Sequence, residues 1–427
     1  MITRRGFYTS VQQRAEWSFS SASRSETSEV THCYHKYPAK FIPQLARSLL
    51  KEYSKKGEVV WDPFCGSGTL NLEAFRIGRD SLGSDINPTA VLIARAKTTP
   101  LDPQKLANSV DELLERLEFS SLRSQSFYEQ KGILNGNVSL LKKWYSNASL
   151  RHLANILWVI RELGHPRRFR DFEVCALSSI LKRASFWLND SVKPQIDPKK
   201  IPAAPLIYFE SQLQLMQKRN HQLFEEVQDP SCRPRIFRHN SMCYAGGFIG
   251  KVDSIITSPP YVVSYDYSDI FRLSTHFLFY HQASDIFRRR FIGTRLNNGT
   301  GSTSPTGTVG DTIKRIDDTS IRNLLGQYYS DMQRFLSQAR RTVRRGGKLV
   351  MVIGDTELRG VSIPNVFLIA DIAIQLGWRR IHCIERNVPL KILPTTRDRE
   401  TGRFSDGPNP SSSKRYSKEY ILAMRNK

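Results

Sequence analysis

The stretch GEVVWDPFCGSGTLNLEAFRIGRDSLGSDINPTAVLIARAK, residues 57–97, decides the fold. A short apolar run (Val59 to Trp61) ends on Asp62. A glycine-bearing turn follows, then a helical stretch, a second strand ending on Asp85, and a helix announced by Asn87-Pro88. Strand, turn, helix, strand, turn, helix is a βαβ unit and predicts a parallel sheet. In the first turn, Gly66 and Gly68 let the backbone bend sharply and let a ligand approach without Cβ interference, directly before a helix N-terminus. The spacing is not G-x-G-x-x-G, and an acidic residue opens the turn. A carboxylate there repels a pyrophosphate and suits a ligand with an ammonium group and no phosphate, which describes S-adenosylmethionine better than a nicotinamide dinucleotide. Asp85, at the end of the second strand, is placed to accept both ribose hydroxyls of a nucleoside. The plainer alternative makes both aspartates turn caps, Asp62 for its own turn and Asp85 for the helix near Pro88.

Outward from this unit, the pattern predicts a doubly wound α/β fold with a mainly parallel seven-stranded sheet and a helical insertion. Residues 1–31, rich in Ser, Thr and Arg without periodicity, read as a flexible N-terminal arm, and Pro38 to Tyr53 as an amphipathic helix. Residues 32–100 form the cofactor-binding part. Residues 101–230 carry helical stripes such as LRHLANILWVIREL and form the insertion. Residues 231–427 return to strands at RPRIFRHN, VDSIITS, GGKLVMVIGD, RRIHCIER and KEYILAMRN. The basic, then Gly/Ser/Thr-rich run from Arg288 to Ile313 reads as a surface loop.

Composition narrows the partners. The 63 Lys and Arg against 40 Asp and Glu give a net charge of +23, which calls for a polyanion, with nucleic acid first. No run of eighteen apolar residues supports a membrane span, and the opening residues lack an apolar signal core, so a cytoplasmic protein is expected. The six cysteines, at 33, 65, 175, 232, 243 and 383, have no C-x-x-C spacing, so neither a metal site nor a disulfide framework is expected. Cys65, inside the glycine turn, reads as a small buried thiol.

A second short stretch carries chemistry. Asp253 to Thr257 is an apolar strand, and Ser258-Pro259-Pro260-Tyr261 is a stiff turn after it. The two prolines fix φ and remove two amide donors, leaving carbonyls for an external partner. Taken with the glycine turn Asp62 to Thr69 and the segment HKYPAKF, His35 to Phe41, this sequence resembles the S-adenosylmethionine-dependent amino-methyltransferases of DNA, which methylate the exocyclic nitrogen of cytosine or adenine. The endings VPLKILPTTRDRETG and RYSKEYILAMRN are similar to theirs as well.

The resemblance implies a cofactor site of Tyr37, Lys40, Asp62, Phe64, Gly66, Gly68 and Asp85, with Asn240 on the cofactor's adenine. It implies catalysis by Ser258, Pro259, Pro260 and Tyr261, makes residues 231–427 the target-base part, and leaves the insertion at 101–230 a candidate for DNA recognition. The substrate would be double-stranded DNA, in a bacterial or archaeal cell, with a cognate restriction endonuclease as a possible partner. Ser at the first motif position accompanies N4-cytosine methylation in this family, whereas Asp or Asn is commoner with adenine targets. The expected enzyme is therefore a site-specific cytosine-N4 methyltransferase. N6-adenine methylation, RNA methylation and a catalytically silent nucleic-acid-binding protein are the alternatives. The base is expected to flip out of the duplex and stack on the Tyr261 ring, the hydroxyl playing no part. The Ser258 hydroxyl and Pro259 carbonyl would accept its amino protons. No Pro-Cys pair occurs, so the nucleophile that ring-carbon methylation needs is missing.

Overall fold

The computed structural model describes the chain except residues 1–2, 39, 135–137, 228–231, 244–245, 263–266, 280–287, 295–306, 359–360, 389–395, 399–403, 406–411 and 415–417. The central sheet has eight strands. They are β1 (Gln12–Gln13), β2 (Val59–Asp62), β3 (Asp80–Asp85), β4 (Arg235–Arg238), β5 (Val252–Thr257), β6 (Val343–Ile353), β7 (Trp378–Asn387) and β8 (Lys418–Asn426). Their spatial order is β1-β7-β8-β6-β5-β2-β3-β4. All neighbours run parallel except β8, which is antiparallel to both β6 and β7. The doubly wound α/β expectation holds. The expected seven strands become eight because the N-terminal segment adds β1 at the edge.

Strand sequence and packing agree through the two-residue period of extended chain. Trp61, Ile255, Leu349, Met351 and Leu422 enter one core, with Phe335 and Leu336 of helix Thr319–Thr342 and Phe367 to Ala370 of helix Asn365–Gln375. Their neighbours Val60, Ile256, Val350, Val352 and Ile421 enter the other, under Leu45, Leu49 and Leu50 of helix Pro43–Tyr53. That helix starts at Pro43 rather than Pro38, proline being well suited to a first helical turn. A third core joins the helices of 101–230 to Leu92, Ile93 and Ala96 of helix Pro88–Thr98, so the insertion packs directly on the βαβ unit.

The loose arm expected over 1–31 is corrected. Helix Arg4–Thr9 buries Phe7 edge-on against Phe367, with ring centroids 5.6 Å apart, and the Tyr8 hydroxyl donates to Asp355 at 2.6 Å. Gln12 and Gln13 pair with Ile384 and Glu385, and Trp17 is buried. Thr31 donates to the Lys97 carbonyl at 2.7 Å. Aromatics spaced without period fasten this segment one anchor at a time, which is why no periodic signal marked it.

The sheet fixes where a ligand can sit. From β2 the chain winds to β3 and β4 on one side, and through β5 to β6 on the other, so the topology reverses between the adjacent strands β2 and β5. In open α/β sheets the crevice at such a switch point, beyond the carboxyl ends of the strands, is the ligand site. The glycine turn follows β2 and the Ser-Pro-Pro-Tyr turn follows β5.

Candidate active site

A cleft of about 830 Å³, its open mouth included, lies at that switch point. Its wall holds Tyr37, Lys40, Asp62, Phe64, Gly66, Asp85, Asn240, Ser258 and Pro260, which four separate stretches of sequence bring together. The β2–β5 junction is tied by Thr257 Oγ1, which donates to Asp62 Oδ1 at 2.6 Å; the same oxygen accepts the Phe64 amide at 3.1 Å. Asp85 clamps both turns, Oδ2 accepting the Gly66 amide at 3.0 Å and Oδ1 the Asn87 amide at 2.8 Å. The turn-cap bonds are thus made, by carboxylates that also line the cleft. Burial, opposed by these hydrogen bonds, pushes Asp62 up to about 7 and Asp85 up to about 6, with the charge of Asp85 adding to the rise at Asp62.

The glycines divide their labour. Gly66 has φ +50°, and a Cβ there would lie 3.0 Å from the Tyr37 ring, so this glycine is the cradle beneath that ring. Gly68, at φ +71°, lies off the cleft wall; a Cβ on it would meet the Ala94 methyl at 2.8 Å, so it permits helix packing rather than ligand approach. Cys65 is buried beside Val91, Ala94 and Ile236, and burial pushes its thiol well up, out of the nucleophilic range.

The HKYPAKF segment is held from three sides. His35 Nε2 lies 3.1 Å from Ser178 Oγ on insertion helix Arg167–Ile180, Tyr37 packs on Phe271 with centroids 4.9 Å apart, and Lys40 Nζ donates to the His32 carbonyl at 3.2 Å. Desolvation lowers the Lys40 pKa. Asn240 reaches the wall while its Oδ1 accepts the Met242 amide at 3.1 Å.

In the second turn, Ser258 Oγ donates to the Val352 carbonyl at 3.3 Å, which leaves its lone pairs as acceptors. The Pro260 carbonyl accepts the Tyr328 hydroxyl at 3.0 Å. Pro259 and Tyr261 lie off the cofactor cleft, and the Tyr261 hydroxyl donates to Glu419 Oε1 at 3.0 Å.

Several wall residues went unread in the sequence: Thr69, Asn87, His239, Arg290, Phe291 and Ile292. Thr69 and Asn87 had local signals, a hydroxyl just after Gly68 and an Asn-Pro helix start. Among the described residues, Thr69 Oγ1, Asn87 Nδ2 and His239 Nε2 are buried with no hydrogen-bond partner. A buried polar group costs free energy until something bonds it, so these atoms fit a polar ligand. Beneath the turn, Lys97 is fully buried, its Nζ 3.4 Å from Ser67 Oγ. With the Gly66 cradle and the two aspartates, the donor set fits a ligand bearing hydroxyl, amine and carboxylate groups, as S-adenosylmethionine does.

Comparison with known proteins agrees with this geometry. The N6/N4 family described as DNA methylase matches residues 5–96, from the N-terminal segment through the glycine turn. The type II methyltransferase M.MvaI of Kocuria varians is 23% identical over 399 residues, 87% of this chain and 87% of that protein. M.BsoBI of Geobacillus stearothermophilus is 19% identical over 82% of this chain and 79% of its own length. M.MjaII of Methanocaldococcus jannaschii is 37% identical over 110 residues, 25% of this chain and 21% of its own. A family match over the cofactor turn, joined by relatives that align along most of the chain, leads to one conclusion: the chain is similar to the S-adenosylmethionine-dependent DNA amino-methyltransferases of the N6/N4 type.

Proposed function

We propose that the protein methylates the exocyclic N4 amino group of cytosine at specific sites in double-stranded DNA. The observation that carries this is the single cleft shared by the glycine turn after β2 and Ser258-Pro260 after β5. Methyl donor and acceptor amine would meet there within one rigid frame.

S-adenosylmethionine supplies an electrophilic methyl on a sulfonium. In this proposal Asp85 holds the ribose hydroxyls, Asp62 faces the cationic methionine end, Tyr37 covers Gly66, Phe64 and Lys40 complete that wall, and Asn240 meets the adenine. Gly68 acts one step back, through the packing of its helix. An aromatic amine is a poor nucleophile because its lone pair is delocalised into the ring. The Ser258 hydroxyl and Pro259 carbonyl would accept hydrogen bonds from its two protons, which turns the nitrogen lone pair toward the methyl; as the N–C bond forms the sulfonium S–C bond breaks, and one amino proton then leaves to solvent. Pro260 supports this by fixing its own φ and restricting the backbone of Pro259, which holds that carbonyl in one direction. Its own carbonyl is held by Tyr328 at 3.0 Å, so the turn is fixed before the base arrives. Tyr261 would offer its ring to the flipped base. Positioning of this kind supplies about 7–11 kcal/mol in favourable cases.

The choice of cytosine rests on Ser258 at the first motif position. The net charge of +23 supports a DNA duplex, and among the described residues no helix is long and apolar enough to cross a membrane. We place the enzyme in the cytoplasm of a bacterial or archaeal cell, beside a cognate restriction endonuclease. The test is mass spectrometry of nucleosides from unmodified DNA treated with the protein and S-adenosylmethionine. N4-methylcytosine is expected. N6-methyladenine would move the target to adenine, methylation of RNA alone would move the substrate, and no transfer despite cofactor binding would leave a silent binding protein.

A further inference from the structure

Tyr261 is tied to a carboxylate that reaches it from a distant part of the chain. Its hydroxyl donates to Glu419 Oε1 at 3.0 Å, across 158 residues of sequence. The other oxygen, Oε2, accepts two bonds from the Arg386 guanidinium, from Nη2 at 2.7 Å and Nε at 3.1 Å. Glu419 and Arg386 are register partners on β8 and β7, so the pair is built into the sheet. Arg386 is only 6% exposed, and its Nη1 donates to the Trp17 carbonyl at 2.9 Å. Arg386 is buried while Glu419 and Tyr261 are half-buried, and the glutamate has two donors on one oxygen and the phenol on the other.

We infer that Glu419, held by Arg386, is a positioning residue that fixes the Tyr261 ring for the target base; this rests on the proposed role of that ring in stacking. A tyrosine ring has two side-chain torsions. Its Cβ is fixed by the rigid Pro-Pro turn, and the bond at the far end of the ring fixes the remaining freedom. A ring pinned at both ends presents its face in one orientation, whereas a phenylalanine there keeps the face and loses the tether. Stacking thus uses the hydroxyl indirectly, contrary to the expectation from sequence. The charge on Glu419 matters because a carboxylate accepts a phenol proton in a shorter and stronger bond than a neutral acceptor. Arg386 orients the carboxylate through its two bonds to Oε2. Small misplacements of a reacting group cost up to about a hundredfold in rate, so the tether belongs to turnover rather than to cofactor affinity.

The experiment is a double-mutant cycle on the full chain, with tritium-labelled S-adenosylmethionine and unmodified DNA as probes. It reads kcat, KM for DNA, and cofactor Kd by calorimetry. Tyr261→Phe and Glu419→Ala should each lower kcat by about ten- to a hundredfold with cofactor Kd unchanged. The double variant should be no slower than the worse single, because both remove one interaction. Glu419→Gln, which keeps shape and an acceptor, should fall between wild type and alanine, and it replaces the alanine variant should that one fail to fold. Additive losses, or wild-type kcat in Tyr261→Phe, would overturn the inference. Tyr261→Ala separates the levels. If it is as fast as wild type, the stacking role itself is wrong. If it is slow while Tyr261→Phe and Glu419→Gln are fast, only the tether is wrong.

Discussion

Cofactor binding should release protons, and the two buried aspartates set how many. In the free protein, Asp62 titrates at about 7 and Asp85 at about 6 because burial disfavours their charged forms. A ligand that brings cationic groups to Asp62 and two hydroxyl donors to Asp85 favours the ionised carboxylates. Affinity is then lost as pH falls through these values and is fully present above them. With both groups ionised in the complex, the competent fraction drops about fifteenfold between pH 7.5 and pH 6. At pH 6.5 the two groups together hold about one proton, which binding must expel. The window stops at 7.5 because the cofactor's own amine titrates at roughly 7.7–8. The opposite sign holds for the apo fold. Both carboxyls are raised above their unfolded value of 3.8, so their contribution to stability is fully present below that value and is lost progressively as pH rises from there to about 6 and 7. Calorimetry in two buffers of different ionisation heat reads both quantities. Asp62→Asn keeps an acceptor for Thr257 and Phe64 while removing one titration, and should reduce the pH effect to about twofold. A Kd that is flat from pH 6 to 7.5, or binding without proton release, would refute this account.

The two glycines should fail differently. Gly66→Ala places a methyl 3.0 Å from the Tyr37 ring at φ +50°, and is expected to weaken cofactor binding at least tenfold with a modest change in melting temperature. Gly68→Ala wedges a methyl 2.8 Å from that of Ala94, and is expected to cost about 1–3 kcal/mol of fold stability in urea titration; an unchanged midpoint would contradict the packing role. Cys65→Ala should keep methyl transfer within a few-fold, because the thiol is buried and takes no part in direct transfer. A folded but inactive Cys65→Ala protein would point to covalent catalysis.

What the sequence disclosed was whatever local chemistry determines. Val59 to Asp62, the glycine turn and the Ser-Pro-Pro-Tyr turn are each readable within a few residues, and adjacent parallel strands then bring them together. Tyr37, Lys40, Asp62, Phe64, Gly66, Asp85, Asn240, Ser258 and Pro260 all reach the cleft. Gly68 reads as a ligand glycine until Ala94 is seen beside it, and no local pattern carries that information. Arg290, Phe291 and Ile292 are held at the wall by contacts remote in sequence: the Gly293 amide donates to Asp331 at 3.1 Å, and Gly293 sits against the Tyr328 ring. The Arg288–Ile313 loop lies partly outside the described residues, but its first part forms cleft wall rather than a loose surface strand. Arg288 lies 3.7 Å from Asp269. Lys97 lies in the last turn of a helix, where a basic residue is ordinary, and only tertiary packing reveals it as a fully buried amine whose pKa burial pushes well down.

The bond from Arg386 to the Trp17 carbonyl spans 369 residues. During synthesis, on the order of twenty to seventy seconds separate the two partners at ordinary elongation rates. Throughout that interval Phe7 and Trp17 have no sheet edge to cover them, and the nascent chain carries them as exposed aromatics of the kind that chaperones bind. Glu419 emerges later still, on the strand that must slot between β6 and β7. The glycine turn and Ser258 therefore leave the ribosome well before the carboxylate that steadies Tyr261. A ribosome that stalls before residue 419 leaves a polypeptide able to build part of the cofactor cleft but not to close the sheet behind the Ser-Pro-Pro-Tyr turn. Under the proposed function, methyl transfer would then begin only with translation products that carry both ends of this edge.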